Sequence, residues 1–233
     1  MTWIKICGIT NHEDALTAVD AGADALGFIF YEKSPRKIDA ETAKRIVATL
    51  PVHVEKVGVF VLQDSEPASQ IAEHAGLTSL QIHVRLPLGV EPNQSRELVA
   101  VAAAKPRKFY LAMPAAWFLG EGPVTANLSS FIEKRPERPF DRILLDSGTP
   151  DQPGGTGKTF DWEKAAPRFE QMSRGINVIV AGGLTPANVS DAIRILKPWG
   201  VDVASGVEAS PGKKDPEKVR DFVRAVRESE QDK

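Results

Sequence analysis

The chain has 233 residues, 42% of them hydrophobic, which suits either one large α/β domain or two small ones. Its 29 basic and 31 acidic residues give a net charge of -2, so we expect neither a nucleic acid nor an anionic membrane as a general partner. Cys7 is the one cysteine, which excludes an internal disulfide. No apolar run is long enough for a signal peptide or a membrane span, so we expect a cytoplasmic protein.

Short apolar runs that end in a polar or small residue recur along the chain and predict eight β-strands. An almost uninterrupted apolar run, such as that from Ala25 to Phe30, is typical of a strand buried on both faces of a parallel sheet. The predicted strands cover residues 3–7, 25–30, 56–61, 79–83, 108–113, 142–146, 176–181 and 201–204.

Helical patterns separate these strands. Asn11 and Asp39 are good N-caps, and Thr185 followed by Pro186 predicts the start of a later helix. The predicted helices lie at about 11–22, 40–50, 64–75, 93–104, 124–134, 162–172 (with Pro167 as a point where it could break), 185–196 and from 215 to about 226.

Eight strands alternating with eight helices predict a parallel sheet closed by right-handed crossovers. This is a (β/α)8 or TIM barrel, which we expect as a single domain over residues 1–233. An open doubly wound sheet is the structural alternative. In a barrel the carboxyl ends of all the strands lie on one face, so the residues at those ends form the candidate active site.

Two side chains at predicted strand ends are candidates for acid–base chemistry. Cys7 ends the first strand, and a thiol can act as a base near neutral pH if its surroundings lower its pKa of about 8.5. The alternative is a buried cysteine that packs as a small hydrophobe. Asp146 ends the sixth strand, where partial burial would raise its pKa and let it donate a proton, although it could instead cap the turn at Ser147 and Gly148.

Glycine-containing turns follow the seventh and eighth strands. Gly182 and Gly183 end one strand, and Ser205 and Gly206 end the next. Backbone N–H groups in such turns bind phosphate, and the loops after strands seven and eight are the usual phosphate site of this barrel class. Ordinary turn glycines are the alternative.

A third glycine-rich stretch, residues 154–159, invites interpretation as a Walker A motif. That motif requires a glycine five residues before Gly157, and the chain has Gln152 there. We therefore expect a flexible active-site loop that closes over a substrate.

Arg36 and His83 are further polar candidates near strand ends. The Arg36 guanidinium could bind a substrate carboxylate through two hydrogen bonds, or it could be a solvated loop arginine. His83 could be a base, a hydrogen-bond donor or a histidine at the rim of the site. The histidines show no metal-ligand spacing, so we expect no metal site; they are His12, His53, His74 and His83.

Taken together and in this order, these segments resemble the phosphoribosylanthranilate isomerase family of tryptophan biosynthesis, nearly from end to end. The matching residues are Lys5 to Thr10, Gly22 to Asp24, Leu26 to Phe30, Ser34 to Arg36, Val57 to Phe60, Leu80 to His83, Leu144 to Ser147, Gly154 to Gly157, Ala181 to Leu184, Asn188 with Val189, Val203 to Glu208 and Gly212 to Asp215.

The resemblance implies an Amadori rearrangement of N-(5′-phosphoribosyl)anthranilate without metal or cofactor. It implies that Cys7 is the general base at C2′ and that Asp146 is the general acid at the ring oxygen. Arg36 would hold the anthranilate carboxylate, and the glycine turns after strands seven and eight would hold the phosphate.

The chain departs from the family at Val84, where the family usually has glycine, and in the segment 85–139, which is hard to align. A β-branched residue does not easily adopt a positive φ, so we expect the loop after the fourth strand to follow a different path. Two other functions remain open. One is a related sugar-phosphate isomerase, in which the first strand ends in a carboxylate rather than a cysteine. The other is a phosphometabolite-binding barrel without catalysis. We expect a monomer or a loose homodimer.

Overall fold

A computed structural model describes residues 1–61, 68–84, 108–119, 140–148 and 158–231. Eight parallel strands close into a barrel in chain order, because β1 pairs with both β2 and β8. This confirms the (β/α)8 barrel and excludes the open sheet. The strands are β1 Trp3–Cys7, β2 Ala25–Ile29, β3 Glu55–Val61, β4 Ser79–His83, β5 Lys108–Pro114, β6 Arg142–Asp146, β7 Asn177–Val180 and β8 Gly200–Val203.

The helices of the described segments pack around this barrel. They are α1 His12–Ala21, α2 Ala40–Val47, α3 Ala68–Ala75, α4 Ala115–Phe118, α5 Trp162–Ser173, α6 Val189–Leu196 and α7 Pro216–Glu228. The Asn11 side chain accepts the backbone N–H of Asp14 at 2.8 Å, and Gly22 ends α1 in the left-handed region with φ 99°. The two caps fix where α1 begins and ends, as the sequence predicts.

One helix start differs from the prediction. The helix predicted from Thr185 begins at Val189, after the N-cap residue Asn188. The Asn188 amide oxygen accepts the N–H of Thr185 at 2.8 Å, and its nitrogen donates to the carbonyl of Gly183 at 3.0 Å. These bonds hold residues 185–188 in a turn before the helix.

Other helix predictions are confirmed in part or lie outside the described residues. Pro167 lies inside α5 without ending it. The predicted helices at 93–104 and 124–134, residues 64–67 and the glycine-rich loop to 157 fall outside the described ranges. Val84 is described: it is buried, and its N–H donates to the carbonyl of Ala112 on β5 at 3.0 Å.

Three short elements after β8 were not predicted. A 3₁₀ turn, Ser205–Val207, leads into an antiparallel ribbon of β9 Glu208–Ser210 and β10 Lys213–Lys214. The ribbon contacts the loop after β1 and helix α1: Thr10 Oγ1 donates to the carbonyl of Gly212 at 2.5 Å, and the N–H of Lys214 donates to Asp14 Oδ2 at 2.8 Å. The chain after β8 therefore lies over the carboxyl end of β1.

Apolar side chains form two separate layers. A large cluster fills the space between strands and helices, and a smaller one lies inside the barrel and includes Trp3, Val57, Tyr110, Leu144 and Ile179. Because side chains alternate along a strand, interior positions recur at every second residue.

A cation surrounded by aromatic rings closes the amino-terminal end of the barrel. The Arg142 guanidinium lies 4.9 Å, 4.8 Å and 4.1 Å from the ring centroids of Trp3, Tyr110 and Trp199. It also donates two hydrogen bonds to the Glu55 carboxylate, at 3.1 Å and 3.0 Å. This end of the barrel is filled by packed side chains. Among the described residues no helix combines the length and the apolar character needed to cross a bilayer.

Candidate active site

Cys7 ends β1 and is 5% exposed. Strand alternation puts it on the same face as Lys5 and Trp3, inside the barrel. Gly27 on β2 makes room for this pair, since a Cβ there would lie 2.6 Å from the Cys7 sulfur and 3.0 Å from Lys5 Cε. Burial raises the pKa of the Cys7 thiol, whereas Lys5 and Lys214 act to lower it. A cysteine base is expected to have a lowered pKa, and the pKa of Cys7 is instead raised. The two nearby cations offset only part of the effect of burial.

Lys5 forms an ion pair with Asp202 on β8. Lys5 Nζ lies 3.0 Å from Asp202 Oδ1, and the two side chains are 0% and 8% exposed. Burial by itself lowers the pKa of an ammonium, but Asp202 and Cys7 outweigh burial here and raise the pKa of Lys5 above its usual value. Lys5 is therefore a permanent positive charge within the barrel.

Asp146 ends β6 and is 8% exposed. Its Oδ1 accepts the backbone N–H of Gly148 at 2.6 Å, so it also stabilises the turn that follows. Burial raises the pKa of Asp146 to about 6 and the charge of Asp202 adds to this, while the hydrogen bond from Gly148 and the charge of Lys5 act in the opposite direction. This carboxyl group exchanges its proton close to neutral pH, as a general acid requires.

His83 ends β4 and is half-buried. Burial and the charge of Lys5 lower its pKa to about 4, so the imidazole is neutral at physiological pH. Its Nε2 lies 2.9 Å from the side-chain nitrogen of Gln81, and a neutral imidazole has one N–H donor and one acceptor nitrogen. His83 is therefore placed as a hydrogen-bond donor rather than as a cation.

Arg36 lies in the loop after β2 and contacts the turn after Cys7. A Cβ on Gly8, which has φ 78°, would lie 2.7 Å from Arg36 Cδ. The guanidinium is not solvated: its Nε and Nη2 donate to the two carboxylate oxygens of Glu208 at 2.8 Å and 2.7 Å. Glu208 also accepts a hydrogen bond from the buried Lys214 at 3.0 Å. The ribbon after β8 therefore determines which edge of the Arg36 guanidinium faces the site.

The glycine turns after β7 and β8 bring three loop backbones together. Gly182 and Gly183 have φ 86° and 65°, and a Cβ on Gly182 would lie 2.0 Å from Ser147 Oγ. Gly206 follows Ser205 in the 3₁₀ turn, and a Cβ on Gly206 would lie 1.8 Å from the carbonyl oxygen of Leu184. Positive φ at Gly182 and Gly183 and the close backbone approach account for these glycines without any ligand, and the same approach brings backbone groups of both turns to the barrel rim.

Electrostatic influence links the candidates that the sequence places at separate strand ends. The charge of Lys5 lowers the pKa of Cys7, of Asp146 and of His83. Arg36 in turn responds to the charge of Cys7. Within the described ranges no group of three or more His, Cys, Asp or Glu side chains is arranged to hold a metal ion, and the expected lack of metal and cofactor stays a prediction.

Sequence reasoning missed Lys5, Asp202, Glu208 and Lys214. Lys5 had a signal, because it lies two residues before Cys7 and so on the same face of β1. Glu208 and Lys214 lie within the stretches that carry the family resemblance, but no chemical role could be read from their spacing.

Proteins of known family resemble this chain over nearly its whole length. The family model for N-(5'phosphoribosyl)anthranilate (PRA) isomerase matches residues 4–225. A protein of Trichlorobacter lovleyi called N-(5'-phosphoribosyl)anthranilate isomerase is 43% identical over 232 residues, covering 98% of this chain and 100% of its own. The protein of the same name from Chlorobaculum tepidum is 42% identical over 230 residues, covering 99% and 97%.

Solved structures give the same result. The phosphoribosyl anthranilate isomerase of Thermotoga maritima superposes with a TM-score of 0.76 at 38% identity, covering 98% of this chain and 100% of its own. A second isomerase structure, in complex with reduced 1-(o-carboxyphenylamino)-1-deoxyribulose 5-phosphate, has a TM-score of 0.73 at 35% identity with the same coverage. With the barrel, the motifs and these matches in agreement, the chain belongs to the N-(5′-phosphoribosyl)anthranilate isomerase family.

Proposed function

We propose that this protein catalyses the Amadori rearrangement of N-(5′-phosphoribosyl)anthranilate to 1-(2-carboxyphenylamino)-1-deoxyribulose 5-phosphate, an aldose–ketose isomerisation in tryptophan biosynthesis. The observation that carries the proposal is the pair of buried groups at the ends of β1 and β6. The Cys7 thiol and the Asp146 carboxyl group are both nine-tenths buried, and both respond to the Lys5–Asp202 ion pair. General acid–base catalysis needs one group that donates a proton and another that removes one.

In the first step the Asp146 carboxyl group donates its proton to the furanose ring oxygen. The bond between C1′ and that oxygen breaks, and the anthranilate nitrogen lone pair forms a C1′=N bond, which leaves an iminium cation and the Asp146 carboxylate. The pKa of about 6 suits this step, because the group is a weaker acid than an exposed aspartate and still carries protons near neutral pH.

In the second step the Cys7 thiolate removes the proton at C2′. The electron pair of the broken C–H bond forms C1′=C2′, the iminium nitrogen becomes neutral, and the thiolate becomes a thiol. Ketonisation then completes the rearrangement, with C1′ gaining a proton and the C2′ hydroxyl losing one. The substrate nitrogen accepts the electrons, so these steps consume no redox equivalent.

The remaining candidates bind the two ends of the substrate. Arg36, oriented by Glu208, is the cation for the anthranilate carboxylate, because a guanidinium suits a planar anion. The phosphate site consists of Gly182, Gly183, Ser205 and Gly206, whose backbones converge after β7 and β8. His83, the last residue of β4, is a hydrogen-bond donor at the rim of the site.

The experiment follows the fluorescence of N-(5′-phosphoribosyl)anthranilate after purified protein is added, with Cys7→Ala and Asp146→Asn alongside. Ile6→Val is the matched control, since Ile6 is next to Cys7 on β1 but belongs to the cluster outside the barrel. We expect both site variants to lose at least about a hundredfold in rate and the control to retain it. An inactive wild-type protein that binds a product analogue would instead favour the phosphometabolite-binding barrel.

Two further expectations concern the protein as a whole. One structure of the Thermotoga maritima isomerase is described as monomers generated from a dimeric enzyme. For this chain we expect a monomer or a loose homodimer, which sedimentation at several concentrations tests; a tight tetramer would contradict it. The cytoplasmic location and the single domain over residues 1–233 stay predictions, to be tested by cell fractionation and by limited proteolysis.

A further inference from the structure

The Lys5–Asp202 ion pair is not explained by the fold. Both side chains lie inside the barrel, and the lysine is 0% exposed. Burying two charges costs desolvation that their attraction only partly returns, so neutral side chains of similar volume generally serve a fold equally well. A methionine at position 5 and an asparagine at position 202 would fill the same space.

The position of Lys5 points to the neighbouring thiol. Lys5 and Cys7 are two residues apart on β1 and share the space left by Gly27. Lys5 favours the thiolate form of Cys7 through both its charge and hydrogen bonding, against the effect of burial. Other charged or titratable groups also face this part of the barrel: Asp202 on β8, Asp146 on β6, His83 on β4, Arg36 after β2 and Lys214 on β10.

Asp202 acts on Lys5 in the part of the reaction where the thiol is neutral. A buried ammonium with no anion beside it loses its proton readily. Asp202 Oδ1 lies 3.0 Å from Lys5 Nζ, close enough to keep the lysine charged when Cys7 is a neutral thiol. The cation is then in place each time the thiol must ionise again.

We propose that Lys5 is a positioning residue for the isomerisation, whose ammonium, held in its charged form by Asp202, stabilises the Cys7 thiolate that removes the C2′ proton. The assignment of the base rests on the function proposed above, but the effect of Lys5 on the thiol does not require turnover.

The test measures the ionisation of Cys7 directly. Cys7 is the one cysteine of the chain, so thiolate absorbance in the ultraviolet reports on a single group. The two tyrosines also absorb when ionised, and subtraction of the Cys7→Ser spectrum at each pH removes their contribution. The titration is run on wild type, Lys5→Met, Asp202→Asn and the double variant Lys5→Met/Asp202→Asn. The double variant is included because Lys5→Met alone leaves a buried carboxylate without its partner.

We expect the midpoint for Cys7 to rise by at least about one pH unit in Lys5→Met and by less in the double variant, because Asp202 itself disfavours the thiolate. In the pH–rate profile, both the limb that follows Cys7 and the limb that follows Asp146 should move to higher pH, since Lys5 also favours the ionised form of Asp146. A loss of packing alone would lower the rate without moving either limb.

Lys56→Met is the control for losing a buried lysine. Lys56 is 5% exposed on β3, adjacent to the interior residue Val57 and so on the other face, and its ammonium donates to the carbonyl of Pro51. It should leave the Cys7 midpoint unchanged. A midpoint that is unchanged in folded Lys5→Met would overturn the proposal, and if that variant does not fold, a midpoint no higher in the double variant than in Asp202→Asn would do so. If wild type proves inactive while Lys5→Met shifts the midpoint, the function assigned to the site fails and the effect of Lys5 on the thiol stands.

Discussion

Arg36 and Glu208, which are 172 residues apart in the chain, form a buried pair with two parallel hydrogen bonds of 2.8 Å and 2.7 Å. The hydrogen bonds that Arg36 donates to Glu208 raise the pKa of Arg36, so the guanidinium remains charged. Because Nε and one N–H of Nη2 are engaged, the edge formed by Nη1 and the second N–H of Nη2 is the one that can bind a planar anion. The pair therefore determines the direction in which the cation acts.

We predict that Glu208→Gln raises the KM for N-(5′-phosphoribosyl)anthranilate by about tenfold to a hundredfold with a smaller change in kcat. The reason is that the variant loses charge-assisted hydrogen bonds of about 1.5–3 kcal/mol that orient Arg36. Steady-state kinetics measure both constants. Glu170→Gln, which breaks the exposed pair with Arg174, is the control.

A substrate analogue without the carboxylate separates orientation from general damage. With phosphoribosylaniline the wild type and Glu208→Gln should differ much less, since Arg36 then has no anion to bind. An equal loss with both substrates would show that Glu208 acts on the fold of the ribbon instead.

The pH–rate profile should reach a plateau between the pKa of Asp146 and that of Cys7. The reactive form has protonated Asp146 and ionised Cys7. Below about pH 6 Asp146 is protonated and the rate rises tenfold per pH unit as Cys7 ionises. Above that point the loss of the Asp146 proton cancels the gain, until the raised pKa of Cys7 is passed and the rate falls. Measurement of kcat/KM against pH tests this, and a profile with no break near 6 would contradict the assignment of Asp146.

The strands and their ends could be predicted from the sequence because apolar runs mark them directly. Both ends of each of the eight barrel strands lie within one residue of their prediction. The ion pair of Lys5 with Asp202 could not be predicted, because its members are 197 residues apart and the sheet brings them together only when β1 pairs with β8. The ribbon that holds Glu208 has strands of two and three residues, too short for any periodicity. The N-cap of α6 is Asn188 rather than Thr185, and this too could not be predicted from local sequence. The hydrogen bond from Asn188 to the carbonyl of Gly183 depends on the path of the preceding turn.

Asp146→Asn should stabilise the protein near neutral pH while it removes activity. Burial raises the pKa of Asp146 from 3.8 to about 6, so the folded state disfavours the carboxylate. The cost is absent below about pH 4, grows between about pH 4 and 6, and is complete above about pH 6, where it amounts to about 1–3 kcal/mol. Asparagine has no such cost and keeps an oxygen for the N–H of Gly148. Urea midpoints at several pH values measure the difference.

Asp39→Asn is expected to change the stability at neutral pH in the opposite direction to Asp146→Asn. Hydrogen bonds from Thr42 at the start of α2 lower the pKa of Asp39, so its carboxylate stabilises the fold at neutral pH, and that contribution is lost as the pH falls through the lowered pKa. This variant should be less stable than wild type at neutral pH. If Asp146→Asn is also less stable at every pH, hydrogen bonding to Gly148 outweighs burial at that position.

Gly206→Ala should weaken both stability and substrate binding, in contrast to Gly22→Ala. At Gly206 the new Cβ would lie 1.8 Å from the carbonyl oxygen of Leu184, so the turns after β7 and β8 must separate, at a cost of about 1–3 kcal/mol or more. At Gly22 the nearest atom, on Val223, is 3.7 Å away, and the cost of about 1–2 kcal/mol comes from the left-handed φ of 99°.

Because both turns are assigned to the phosphate, Gly206→Ala should raise KM at least about tenfold, whereas Gly22→Ala should leave KM unchanged. Calorimetry and steady-state kinetics on the two variants measure these effects. An unchanged KM in a folded Gly206→Ala protein would show that the close approach of these turns serves packing and that the phosphate binds elsewhere.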